Sequence, residues 1–248
     1  TKAKDIDRMK SEFISLASHQ LRTPLSGLKW FIEMLLHGDA GKLSSEQQEF
    51  ITKMQEINIS MISLVNALLN ISRIEQGRII VEPENTDISE LIDEVLINLK
   101  HNIDEKRINL SVDIAPEVPK DIKLDKRLIH EVYTNLLSNA LKYTPAGGNV
   151  EIKITVDDEN LISTISDNGY GIPEKEMPKL FDKFFRGSNV VKHETDGNGL
   201  GLYLVKSIVE SSGGKITCES EENKGSKFTF TIPKSGMEAK KGEVKINS

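Results

Sequence analysis

The run Ser18-His19-Gln20-Leu21-Arg22-Thr23-Pro24-Leu25 gathers an imidazole, an amide, a guanidinium, a hydroxyl and a helix-disrupting ring. A neutral imidazole is a good nucleophile at cellular pH, and one ring nitrogen can attack while the other is held by a hydrogen bond. Farther on, Asn135-Leu136-Leu137-Ser138-Asn139-Ala140-Leu141-Lys142-Tyr143 sets two amides at i and i+4, with Lys142 three residues beyond, on one helix face. Uncharged oxygens beside a lysine suit a magnesium ion already partly neutralised by phosphates. Asp167-Asn168-Gly169-Tyr170-Gly171-Ile172-Pro173 follows an apolar strand, so an acid stands at a strand end and glycines let the backbone approach a ligand closely. Asp196-Gly197-Asn198-Gly199-Leu200-Gly201-Leu202 opens a helix, and such glycine-rich loops present backbone N–H groups to phosphate. Each feature also has an ordinary explanation: a surface histidine, a polar helix face, a turn, a surface loop.

The elements that must position these groups are legible in the hydrophobic pattern. Ile14, Ala17, Leu21, Leu25, Leu28, Ile32 and Leu35 recur in steps of three and four, one stripe of an amphipathic helix. Phe50, Met54, Ile57, Met61, Leu64, Leu68 and Ile71 form a second stripe in a heptad-like register. Gly38-Asp39-Ala40-Gly41 breaks the first helix, and Ser44 with Gln47, or Ser45 with Gln48, offers a capping-box start for the second. Two helices hide only part of their stripes, so the expectation is an antiparallel helical hairpin that pairs with a second copy as a dimeric four-helix bundle. At about 100° per residue His19 lies roughly 120–160° from Leu21, Leu25 and Ile32, which predicts a solvent-facing side chain sharing its face with Arg22, Thr23 and Ser26. Pro24, five residues on, removes a backbone donor and loosens the turn beside His19.

Beyond Gln76-Gly77 the pattern changes. Alternating or β-branched runs at 78–82, 108–113, 149–156, 160–166, 214–219 and 227–232 read as strands, and 88–102, 126–143 and 200–212 as helices. The prediction is an α/β sandwich with helices on one face of a sheet. Residues 174–198 form a long lid in which Leu180-Phe181-Asp182-Lys183-Phe184-Phe185-Arg186 supplies anchoring aromatics. The resulting division is a helical hairpin over 1–77, a linker or hinge over 78–86, a catalytic unit over 87–234 and a loosely ordered polar tail over 235–248.

Of the 248 residues, 38% are hydrophobic and 28% charged, and the net charge of −6 argues against nucleic acid as a partner. The single cysteine, Cys218, excludes an internal disulfide and fits a cytoplasmic setting. No run of about eighteen apolar residues is evident, so no membrane contact is expected of this segment. The chain opens on Thr1 rather than Met, and the expectation is a fragment of a longer protein, one that in full length can be anchored at the inner face of the cell membrane.

The residues around His19 resemble the phosphoacceptor box of sensor histidine kinases of two-component systems. The later motifs, in this order, look like the Bergerat-type ATP-binding domain shared by histidine kinases, gyrase and their relatives. The resemblance spans roughly residues 8–233 and implies a protein histidine kinase. In it His19 takes the terminal phosphate of ATP and passes it to an aspartate on the receiver domain of a response regulator. By the same resemblance Asn139 is the magnesium ligand with Asn135 assisting, Lys142 contacts phosphate, Asp167 reads the adenine amino group and Tyr143 packs near the base. Gly169, Gly171 and Ile172 then shape the adenine pocket, Gly197, Gly199, Leu200 and Gly201 cradle phosphates, and Gly225-Ser226 is the last pocket element. Thr23 would orient a water that dephosphorylates the regulator.

One residue departs from the pattern: Gln20 stands where the family usually has Glu or Asp, so help for the charge developing on the imidazole is lost. Two other readings remain open at this point, an ATP-hydrolysing machine of the gyrase kind and a nucleotide-binding scaffold of low kinase activity. Against hydrolysis, the place of the gyrase-type general base, four residues before Asn139, is held by Asn135, which cannot take a proton.

Overall fold

A computed structural model describes residues 2–188 and 197–241, with the side chains of 2–13, Ser15 and His19 outside the described part. The chain divides between Arg78 and Ile79 into two compact units.

The first unit is a pair of helices, α1 (Lys2–His37) and α2 (Ser45–Glu75). α1 continues through Pro24, whose missing N–H leaves the Gln20 carbonyl without its helical donor. Gly38, at φ 86°, closes the helix: its N–H donates to Leu35 O at 3.2 Å and that of Asp39 to Met34 O at 3.1 Å, a Schellman ending. Of the two expected starts for α2 the first is used. Ser44 Oγ accepts from Gln47 N at 3.2 Å, and Gln47 Oε1 accepts from Ser44 N at 2.9 Å.

Leu25 and Ile32 of α1 and Val65 and Leu69 of α2 are buried in the hairpin. Leu21, Leu28, Phe50, Met54, Ile57 and Met61, expected in the stripes, stay 42–62% exposed in the single chain. Asn58 is 2% exposed, and neither of its amide atoms finds a hydrogen-bond partner. One expectation is corrected here: α2 contains a window of mean hydropathy 1.4, long and apolar enough by length and composition to cross a membrane. Asn58, Ser60, Ser63, Asn66 and Asn70 interrupt that apolar run, and Arg22 of α1 bonds Asn66 across the hairpin.

The second unit contains β1 (Ile80–Val81), β2 (Glu84–Thr86), α3 (Ile88–Lys106), β3 (Asn109–Ile114), β4 (Ile122–Leu124), α4 (Lys126–Tyr143), β5 (Asn149–Val156) and β6 (Asn160–Asp167). A 3-10 helix (Glu174–Lys179), α5 (Gly201–Ser211), β7 (Ile216–Glu221), β8 (Gly225–Pro233) and β9 (Lys240–Lys241) follow. The main sheet runs β3-β5-β6-β8-β7, with β3 parallel to β5 and every other pair antiparallel. Val150, Ile152 and Ile154 of β5, Leu161, Ser163 and Ile165 of β6, and Phe228, Phe230 and Ile232 of β8 are buried, while their alternating neighbours are less so. One face therefore carries the helices, as a two-layer sandwich requires. Tyr133 of α4 is fully buried there, its hydroxyl 2.5 Å from Ser163 Oγ and its ring edge-on to Phe230.

Two expected boundaries move. The segment expected as linker is docked from Ile79 onward: β1 pairs with β9 and β2 with β4, and Val81 and Thr86 are buried. The expected loose tail is also docked as far as Lys241, with Met237 only 5% exposed. Residues 242–248 lie outside the described part.

Candidate functional site

α4 is the axis of the site, and both its ends are secured. Asp125 caps its start by accepting from Leu128 N at 3.1 Å. At the other end Lys106 Nζ donates to the carbonyls of Leu141 at 3.1 Å and Lys142 at 2.6 Å, a cation on the negative end of the helix. Tyr133, Leu136, Leu137, Ala140 and Leu141 face the core, so Asn135, Asn139 and Lys142 emerge together on the remaining flank.

These three, with Tyr143, Asp167, Gly171, Ile172, Gly197, Gly199, Gly201 and Ser226, line one cavity. Asp167 is its one carboxylate among the described residues. Its Oδ1 accepts from Gly169 N at 2.9 Å and Ser226 N at 3.3 Å, which leaves Oδ2 for an incoming donor. Burial pushes the Asp167 carboxyl above the ordinary carboxylate value, and the two backbone N–H groups oppose that shift. Cys218 is a spectator: burial above all, then the nearby charges of Asp167 and Glu219, pushes its thiol up to about 12, so it stays protonated.

The glycines act through space rather than freedom alone. A Cβ on Gly201 would stand 2.6 Å from Asn135 Oδ1, and one on Gly169 would stand 2.4 Å from the Tyr143 carbonyl. Gly199 adopts φ 67°, and a Cβ there would meet the Phe184 backbone at 2.6 Å. α5 begins at Gly201 with no side-chain cap for its first-turn N–H groups, and Gly201 and Leu202 line the same cavity as Lys142.

The donor set fits magnesium brought in on phosphates. Asn139 lines the cavity, and its amide makes no hydrogen bond among the described residues, so its oxygen can serve a ligand. Asn135 Nδ2 donates to Glu131 O at 2.9 Å and Glu131 Oε1 at 3.3 Å, which orients Oδ1 toward Gly201. No cluster of three His, Cys, Asp or Glu side chains exists among the described residues, so a cation here needs phosphate oxygens to complete its shell.

Gly169 and Leu200 were expected at the site but do not line the cavity. Leu200 is fully buried behind it, and Gly169 lets Tyr170 N reach Tyr143 O at 3.2 Å. Sequence reasoning had not placed Leu180, Phe185, Arg186, Asn198, Leu202 and Phe228 on the lining. Phe228 was legible in principle, because it shares a strand face with Ser226 two residues earlier. Leu180 and Phe185 belonged to the anchoring run, of which Leu180 is buried while Phe184 is 62% exposed. The first half of the expected lid is pinned: Ser188 N donates to Glu176 Oε2 at 3.0 Å, and Lys183 lies over the Tyr203 ring at 5.0 Å. Residues 189–196, the centre of that lid with Asp196, lie outside the described residues.

In the helical unit, position 19 falls inside α1, while the expected exposure of the His19 side chain lies outside the described part. Gln20 and Thr23 are exposed and Ser18 is buried. Arg22 donates through Nε at 3.2 Å and Nη2 at 2.8 Å to Asn66 Oδ1, which fixes the flank of the hairpin on which position 19 lies.

Comparison with known proteins matches both units. Residues 9–77 match the family described as His Kinase A (phospho-acceptor) domain, and residues 124–236 the family described as histidine kinase-, DNA gyrase B-, and HSP90-like ATPase. The circadian input-output histidine kinase CikA of Synechococcus elongatus is 34% identical over 225 residues, 90% of this chain and 30% of that protein. The curated relatives compared are all longer, and this chain spans 24% to 48% of their length. Among solved structures, full-length ShkA in complex with AMPPNP superposes with a TM-score of 0.74 at 26% identity, covering 93% of this chain and 47% of that one. The catalytic domain of histidine kinase ThkA gives a TM-score of 0.54 at 31% identity, covering 62% of this chain and 96% of that one.

Proposed function

Because the chain belongs to the sensor histidine kinases of two-component systems, we propose that it binds ATP in the cavity between α4 and α5 and phosphorylates itself on His19. Asp167 Oδ2 accepts the adenine amino group, and Ile172, Leu180 and Phe228 enclose the base apolarly. Gly197, Gly199 and the α5 N-terminus hold the phosphates with Lys142. Magnesium, held by Asn139 and Asn135, would offset charge on the phosphate oxygens. An imidazole nitrogen of His19 attacks the γ-phosphorus in line, the bond to the β–γ bridging oxygen breaks, and ADP departs. Gln20 can accept the ring N–H and so hold the imidazole for attack.

The observation that carries this reading is the chemistry at the phosphate end of the cavity. Asp167, at the adenine end, is the only carboxylate among the described lining residues, and Glu131 is occupied by the Asn135 amide. Among the described residues water there finds no general base, which favours transfer of the phosphoryl group to a side chain over hydrolysis. Incubation with γ-labelled ATP tests it. Acid-labile, alkali-stable label on the protein in excess of free phosphate is the expected result; free phosphate alone would mean an ATPase, and bound nucleotide with neither product a scaffold.

A second copy of the chain covers the flank carrying Leu21, Leu28 and Phe31 with Phe50, Met54, Ile57 and Met61, completing a four-helix bundle. The opposite flank, holding position 19 and the Arg22–Asn66 bond, stays open for the receiver domain of a response regulator. Trp30, 56% exposed, and Ile59, 51% exposed, supply apolar contacts on that side. Thr23, four residues after His19, would orient water when the regulator is dephosphorylated. Thr23→Ala is expected to lose regulator phosphatase activity while keeping autophosphorylation, read as decay of phosphorylated regulator against label gained by the kinase.

A further inference from the structure

Asp125 is 3% exposed, and its carboxylate joins two segments far apart in sequence. Oδ1 caps α4 through Leu128 N, and Oδ2 accepts from Glu82 N at 2.9 Å, just after β1. Its own N–H donates at 3.2 Å to the sulfur of Met237. A single residue thus ties the strand that leaves the helical unit, the helix that carries Asn135, Asn139 and Lys142, and the C-terminal segment.

That C-terminal segment is closely fitted. Gly236 adopts φ 93°, and a Cβ there would stand 2.6 Å from Lys123 O, so the chain passes only as glycine. Met237 N donates to Lys123 O at 2.8 Å and its side chain is buried. Lys240 and Lys241 then pair with Val81 and Ile80, and Lys240 Nζ reaches Ser211 O at 2.5 Å, at the end of α5. The ATPase family match ends at residue 236, so Met237 and the β1–β9 pair stand outside it.

We propose that residues 234–241 are a strap that fixes the exit of the inter-unit linker, with Asp125 and Met237 as positioning residues for phosphoryl transfer. On the helical side Arg78 N still donates to Arg73 O at 2.7 Å, and β1 starts at Ile80, so one residue, the buried Ile79, separates the last backbone bond of the helical unit from the strapped strand. Among the described residues β9 is the one strand paired with β1; without it the chain is next held at Glu82, through the bond of its N–H to Asp125 Oδ2. A tether of one residue becomes one of three, and the effective concentration of one unit at the other falls roughly two- to fivefold. The inference rests on the kinase reading above, since the rate it governs is transfer to His19.

The test compares the full chain, a chain ending at Lys241, a chain ending at Ser235, and Met237→Asp, which expels the strap by burying a charge without shortening the protein. Three quantities are read: hydrogen exchange of the peptide 79–83, ATP affinity, and the single-turnover rate of His19 phosphorylation. The chain ending at Lys241 should match the full chain in all three. The chain ending at Ser235 and Met237→Asp should exchange the amides of 79–81 within that peptide at least tenfold faster, bind ATP within about twofold of the full chain, and phosphorylate about two- to fivefold more slowly. An unchanged or faster transfer rate, or protection of 79–81 that survives, overturns the proposal. So does a tenfold loss of ATP affinity, which would make the strap a support for the cavity. If the full chain binds ATP yet never labels His19, the kinase reading fails, and the strap is then rejected as a positioning device whatever 79–83 does.

Discussion

In the proposed reading Asp167 serves adenine recognition at a cost to stability. Burial raises its folded-state pKa above the unfolded value, so the folded form holds the proton more tightly, and its contribution to stability is present at low pH and lost as pH rises through the folded pKa. Adenine recognition needs the ionised form, so ATP affinity falls on acidification at a higher pH than for an ordinary carboxylate. Asp167→Asn keeps an oxygen for Gly169 N and Ser226 N but turns an NH2 donor toward the adenine amine. Calorimetric titration is expected to show ATP affinity falling more than about tenfold, with a neutral-pH melting temperature equal or higher. Gly201→Ala separates space from backbone freedom. The new methyl meets Asn135 Oδ1, so magnesium-dependent ATP binding should weaken by about tenfold, while helix propensity holds the fold stable. Gln20→Glu restores a carboxylate beside His19 and should speed single-turnover phosphorylation by about tenfold. Residue types were readable at these positions because glycine, asparagine and aspartate have few other reasons to recur at such spacings. Leu202 and Phe185 were not, because an apolar side chain facing a ligand looks in sequence like one facing the core.

Among the elements, long helices and alternating strands announced themselves, and α4 begins and ends where its pattern does. The short pairs did not. β2 is Glu-Asn-Thr and β4 is Ile-Lys-Leu, each of three residues, too short for a period of two to stand out, and β9 is two lysines with no apolar side chain to mark it. The docking of 79–86 and 235–241 was hidden for the same reason: polar composition reads as loose, whereas pairing between segments more than a hundred and fifty residues apart leaves no local mark. α2 carries a contrary feature in Asn58, buried in the hairpin with both amide atoms unsatisfied. Asn58→Leu should stabilise the helical unit by about 1 kcal/mol, since an unpaired buried amide costs on that order. Trp30, the only tryptophan, lies in this unit, so its fluorescence during urea unfolding measures the change directly.

At the scale of the whole molecule, the proposed reaction assigns the nucleophile to one part of the sequence and the activated phosphate to the other, and the two folded units follow that division. Neither completes a reaction alone. The cavity gathers Asn135, Asn139, Lys142 and the start of α5 and, apart from Asp167, no acidic group among the described lining residues, whereas α1 bears an imidazole near a proline that frees a backbone carbonyl. The most direct measurement is the site of the phosphoryl group after one turnover with magnesium-ATP, mapped by mass spectrometry at neutral to alkaline pH, where a phosphoramidate survives. Stoichiometric phosphate on the His19 imidazole, absent in His19→Ala at unchanged ATP affinity, is the predicted result. Phosphate on another residue, or an His19→Ala protein that labels as the parent does, would contradict it.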